Sequence, residues 1–98
     1  MQFDVKVVRD ILQTAINADE ETVFVKLDPV NEYHIRLMRD VCLVCISLSG
    51  KDSGIAYRIT SKGLDFFWSI GDKWDFVLEQ KIHCIAEIYE YAKFDIFE

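Results

Sequence analysis

The sequence predicts a small α+β domain built as helix, short strand, helix, β-hairpin, helix, with a further helix at its C-terminal end. Three observations predict it. Apolar residues recur at helical spacing near both ends of the chain. Short runs of β-forming residues flank a polar turn cluster, Gly50-Lys51-Asp52-Ser53-Gly54, in the middle. Capping residues stand just before each helical stretch. At 98 residues the chain is long enough for one core, so residues 1–98 are read as one domain, with 73–98 as its C-terminal helix and apolar tail.

Asp4 is placed to cap a first helix carrying Val5, Val8, Ile11, Leu12, Ala15 and Ile16 on one side. Residues 22–27 are rich in β-formers and too short for a helix. Asp28-Pro29 pairs an N-cap with a proline at the first helical position, predicting a second helix over 29–41. Its apolar face centres on Val30, Leu37 and Val41, with Tyr33, His34 and Met38 flanking. The opposite face carries Glu32, Ile35, Arg36 and Arg39, with Asn31 at its margin. Residues 43–49 and 55–59 read as the two strands of a hairpin. Thr60 caps a third helix over 61–70, with Leu64, Phe67 and Trp68 inward, and Gly71 ends it. Asp72 is expected to cap a fourth, continuous helix through Ala92, with Asp75 in its first turn, where the helix dipole favours an acid.

Composition excludes several classes. The longest apolar run, residues 41–46, is far below the about 20 residues of a membrane span. The opening Met1-Gln2-Phe3-Asp4 has neither a basic nor an apolar leader, so a cytoplasmic, reducing compartment is expected, in which three cysteines stay as thiols. The formal charge of −6 argues against indiscriminate nucleic-acid binding. Its distribution is uneven. Residues 26–62 hold six basic and four acidic residues, whereas the remainder holds five basic and 13 acidic.

The order of elements is that of a winged helix-turn-helix, and two stretches sharpen it. Residues 31–44, with Tyr33-His34-Ile35-Arg36-Leu37-Met38 at their centre, resemble the helix-into-strand pattern "YHIxLLxxAGLI" of winged-helix proteins. Tyr57-Arg58-Ile59-Thr60-Ser61-Lys62-Gly63-Leu64-Asp65-Phe66-Phe67, followed by Ile70-Gly71-Asp72-Lys73-Trp74, is similar to "LTxxGHEFLxxIRDxxxW". That pattern belongs to a small family of uncharacterised winged-helix proteins of bacteria and their prophages. The resemblance covers roughly residues 3–78 and implies the fold and a regulatory, DNA-binding role. The chain departs from the pattern at Cys42, where the family has Gly, at Leu64 after Gly63, and at Gly71. The link between the first two helices leaves room for at most one turn of a separate stabilising helix.

In a winged helix the second helix here would enter the major groove, where Arg pairs with guanine and Asn with adenine. Asn31, Ile35, Arg36 and Arg39 are therefore the candidate reading residues, and Lys51, Arg58 and Lys62 the candidate phosphate contacts of the wing and its flank. Glu32 repels phosphate, and an exposed Ile35 suits a thymine methyl or a protein equally. This reading requires Arg36 and Arg39 to stand clear of other elements and of carboxylates. A rival keeps the fold and drops the DNA: an acidic interaction module, or a phage inhibitor of a host protein.

The C-terminal stripe of Trp74, Leu78, Ile82, Ile85, Tyr89, Phe94 and Phe97 is wide for so small a core and predicts a homodimer interface. Cys42 and Cys45 form a CxxC among Val41, Leu43, Val44 and Ile46, and read as buried, inert thiols rather than zinc ligands. His34 reads as a core-edge histidine with one hydrogen bond. The serines stand in no nucleophile-elbow sequence and the glycines in no phosphate-binding loop, so no enzyme, metal or cofactor is expected.

Overall fold

Asp4 starts the first helix through its carboxylate, which accepts the Lys6 N–H at 2.9 Å. The structure, a computed structural model, describes residues 3–18, 22–26, 28–51 and 54–96, and side chains among these except at 48–51 and 91–96. Helix α1 (Val5–Asn17) buries Val5, Val8, Ile11, Leu12 and Ala15 along one face. A helix of this length is marginal alone. Each buried Val, Ile or Leu contributes about 1.5–3 kcal/mol, so packing supplies the stability that propensity cannot.

Strand β1 (Val23–Lys26) leads to α2 (Pro29–Asp40), where the Asp28 carboxylate accepts the N–H groups of Val30 and Asn31 and Pro29 fills the first turn. Strands β2 (Val44–Lys51) and β3 (Gly54–Ile59) form the hairpin. The sheet is antiparallel with order β1-β3-β2, so β3 is central: Val23 and Ile46 both lie opposite Tyr57. Ile55, Tyr57 and Ile59 are buried, and the Tyr57 hydroxyl donates to the Ile11 carbonyl of α1 at 2.9 Å. The helices cover this face, which gives an α+β domain with a one-sided sheet.

Two connections are set by single residues. At the end of α2 the Cys42 N–H donates to Arg39 O and the Leu43 N–H to Met38 O, a Schellman ending with Cys42 at φ 67° in the position that favours glycine. Thr60 then ties α3 (Ser61–Ile70) to the start of β2. Its hydroxyl accepts the Gly63 N–H at 3.0 Å and faces the carbonyls of Cys42 and Leu43 at 2.6 and 3.0 Å. Gly63 packs so tightly there that a Cβ would overlap the Leu43 carbonyl.

The structure corrects three expectations. First, α2 is turned by about 90° from the predicted face. His34, Ile35 and Met38 are fully buried, whereas Val30 is exposed and Leu37 and Val41 are half-buried. His34 sets this rotation: its Nδ1 lies 2.7 Å from the Val30 carbonyl and its Nε2 accepts the Asp4 N–H at 2.9 Å, so both ring nitrogens are satisfied inside. Second, α3 faces the core with Gly63, Phe66, Phe67 and Ile70, because Gly63 is where the helix can approach β2. Trp68 lies about 150° round the helix from that face and is 63% exposed.

Third, the predicted C-terminal helix is broken. A 3-10 turn (Gly71–Lys73) precedes α4 (Trp74–Leu78), residues 79–84 are irregular, and α5 (Ile85–Ile96) follows. Asp72 lies in the 3-10 turn; Lys73 occupies the N-cap position of α4 and its side chain does not cap the helix, while Asp75 stands in the first turn as expected. The break has a local cause. Glu87 accepts the His83 N–H at 3.2 Å and lies 3.9 Å from the Cys84 sulfur, so α5 starts afresh at Ile85. That start turns α5 onto α3, with the Tyr89 ring 4.8 Å from Phe66.

Candidate nucleic-acid interface

Helix α2 carries the residues expected to read bases, and their surroundings differ from that expectation. Ile35 is fully buried and reaches no partner; it lines the cleft between α1, β1 and β3 with Val25 and Tyr57. Asn31 borders the same cleft, half-buried. Arg36 and Arg39 face outward, but each is met by a carboxylate. The Arg36 guanidinium lies 3.0 Å from Glu32 one turn away, and Arg39 lies 3.3 Å from Asp40. Such surface pairs are worth at most about 1 kcal/mol and can open. Opening them does not make the ridge cationic, because Glu32 and Asp40 stay beside it and cancel both arginines. The expected free cationic ridge on α2 is therefore corrected.

The outer face of the sheet is different. Alternation along β1 puts Phe24 and Lys26 outward and leaves Val23 and Val25 half-buried. Phe24 lies opposite Ala56, and Lys26 opposite Gly54. Arg58 projects from β3 opposite Cys45. Lys26, Arg58 and Cys45 are exposed, and Phe24 is 58% exposed. Among the described residues Lys26 and Arg58 take part in no ion pair, and no carboxylate shares a strand row with them. The backbone of Lys51 pairs with Gly54 on the other side, at the register position of Lys26; its side chain lies outside the described residues. Lys62, in the first turn of α3, is exposed and stands 5.8 Å above the Tyr89 ring.

Sequence reasoning thus placed Arg58 and Lys62 correctly on the surface and overlooked Phe24 and Lys26. The signal for both was present. The period-two pattern in Val23-Phe24-Val25-Lys26 already assigns an aromatic and a cation to the solvent side of an edge strand.

The expected dimer stripe is largely internal. Trp74, Ile82 and Ile85 are buried in the chain's own core, and Leu78 and Tyr89 are half-buried against it. The chain covers its own stripe because α5 folds onto α3. The Phe94 side chain and Phe97 lie outside the described residues. Cys42 and Cys45, expected to be buried, are exposed, since Cys42 sits in the α2–β2 turn and Cys45 on the outer sheet face; Cys84, before α5, is exposed as well. Among the described residues no three of His, Cys, Asp and Glu converge as metal ligands would, and no helix is long and apolar enough to cross a membrane.

In comparisons with known proteins, no family model, curated protein or solved structure matches the chain.

Proposed function

We propose that the chain is a small winged-helix regulator of the bacterial and prophage kind that its motifs resemble, and that it contacts nucleic acid through the sheet and wing rather than through α2. The scaffold supports the fold part of this reading. A helix leads directly into a hairpin, and the first strand completes the sheet in the order β1-β3-β2. The observation that carries the functional part is the pair of unneutralised cations, Lys26 and Arg58, on a sheet face without a described carboxylate. Phosphates contact such a surface without competition, whereas at α2 they meet Glu32 and Asp40. The acidic remainder of the chain opposes long-range attraction, so binding is salt-sensitive and weak.

Fluorescence anisotropy with pooled duplex DNA tests this at about 50 mM salt. Lys26→Ala with Arg58→Ala lowers affinity by about tenfold or more, at roughly 1 kcal/mol for each lost phosphate contact. Arg36→Ala with Arg39→Ala changes it little. Absence of binding by the unaltered chain to duplex and to single-stranded DNA alike removes the nucleic-acid reading.

A second reading rests on Trp68. An exposed tryptophan on a helix whose other aromatics are inside suits a protein partner, and indole is frequent at interface hot spots. With Trp74, Ile82 and Ile85 occupied in the core, Trp68 offers a second copy of the chain an exposed apolar contact. If Trp68→Ala abolishes a concentration-dependent mass in light scattering, the partner is a second copy; if the unaltered chain has the mass of one chain, the homodimer is excluded.

A further inference from the structure

Phe24 is an anomaly on the sheet. A large apolar side chain stands more than half exposed on an edge strand, while the neighbouring valines pack inward. The end of its ring occupies the space that a Cβ of residue 54 would fill, so the glycine seats the ring against the sheet. Ala56 opposite adds no bulk above the sheet plane. Cations lie on either side. Lys26 is two residues along the same strand, about 7 Å away, and Arg58 is diagonal across the pair at roughly 7–8 Å.

We propose that Phe24 is a stacking platform for an unpaired base, with Lys26 and Arg58 holding the phosphates on either side, so that this face binds single-stranded nucleic acid. The inference rests on the nucleic-acid reading above and narrows it. A phenyl ring offers nothing to the phosphate backbone of an intact duplex, whose bases are stacked inside, but it offers a π face to any exposed base. Aromatic rings interleaved with cations are what sequence-tolerant single-strand binding requires. An acidic peptide would be drawn by Lys26 and Arg58 alone and would leave Phe24 unexplained.

Anisotropy with a fluorescein-labelled single strand of about 12 nucleotides, beside the same sequence as a duplex, tests the proposal. The single strand binds more tightly than the duplex. Phe24→Leu lowers single-strand affinity by about tenfold or more and leaves the duplex within about twofold. Phe24→Tyr retains single-strand affinity. Gly54→Ala displaces the ring without removing it and lowers single-strand affinity in the same direction as Phe24→Leu. Circular dichroism identifies any variant that fails to fold, and the tyrosine variant and the strand-to-duplex ratio remain decisive in that case. Equal loss on both probes with Phe24→Leu overturns the stacking role. Duplex binding without single-strand binding overturns it and leaves the proposed function standing; binding to neither probe overturns both. Competition by poly-glutamate that Phe24→Leu does not alter, with single-strand affinity also unchanged, assigns the face to acidic peptides instead.

Discussion

Cys42 sits at φ 67°, where a side chain crowds the following carbonyl. Its side chain is exposed and its thiol is in no disulfide. Cys42→Gly therefore stabilises the fold by about 1 kcal/mol, seen as a rise of about 4–8 °C in Tm. A fall in Tm would mean that the thiol has a structural role. Tyr57 gives a second residue-scale prediction. Burial pushes its hydroxyl from 10.0 up to about 12, while that hydroxyl donates to Ile11 O. The folded state thus keeps the proton over a range where the unfolded chain has released it. The stabilisation is complete below pH 10 and is lost as pH rises through 10 towards about 12, by roughly 2–3 kcal/mol in all. Urea midpoints of the unaltered chain should fall relative to those of Tyr57→Phe across that window. Parallel curves would place the hydroxyl in contact with solvent.

Among the elements, those announced by local signals were legible in the sequence. Asp4, Asp28-Pro29 and Thr60 start their helices because one side-chain oxygen meets an orphan amide two or three residues on, a relation that needs no tertiary knowledge. Gly71 ends α3 at φ 56° for an equally local reason. Rotation was not legible. The apolar residues of helix α2, Val30, Tyr33, Ile35, Leu37 and Met38 among them, spread over about 200° of its circumference, so periodicity alone cannot choose a face within that arc. The choice is made by His34 through a bond to Asp4, thirty residues away in sequence. The break before α5 was hidden for a related reason: Glu87 acts three residues beyond a cysteine, a residue type that does not signal a helix start. For the candidate site, Arg58 and Lys62 could be read as exposed, but the carboxylates against Arg36 and Arg39 depend on rotamers that composition does not set. Gly63 holds α3 against β2, and a methyl group there meets the Leu43 carbonyl, a backbone atom that cannot swing aside. Gly63→Ala is expected to cost about 1–3 kcal/mol in chemical denaturation. A neutral result would show that α3 can move outward without loss.

At the scale of the whole molecule, the fold sorts its charges unevenly. One face of the sheet is sealed by α1 and its neighbours, and the other is left to solvent with Phe24, Lys26 and Arg58. The helices carry most of the acids among the described residues, and on α2 those acids lie against the arginines. A chain of net charge −6 can thus present one locally cationic surface. Amide chemical-shift mapping by NMR during titration with a labelled oligonucleotide tests the location of nucleic-acid contact most directly. Contact through the sheet predicts shifts gathered at Phe24, Lys26, Ala56 and Arg58, with α2 quiet from Asn31 to Arg39. Shifts gathered on α2 with β1 and β3 unmoved would contradict it.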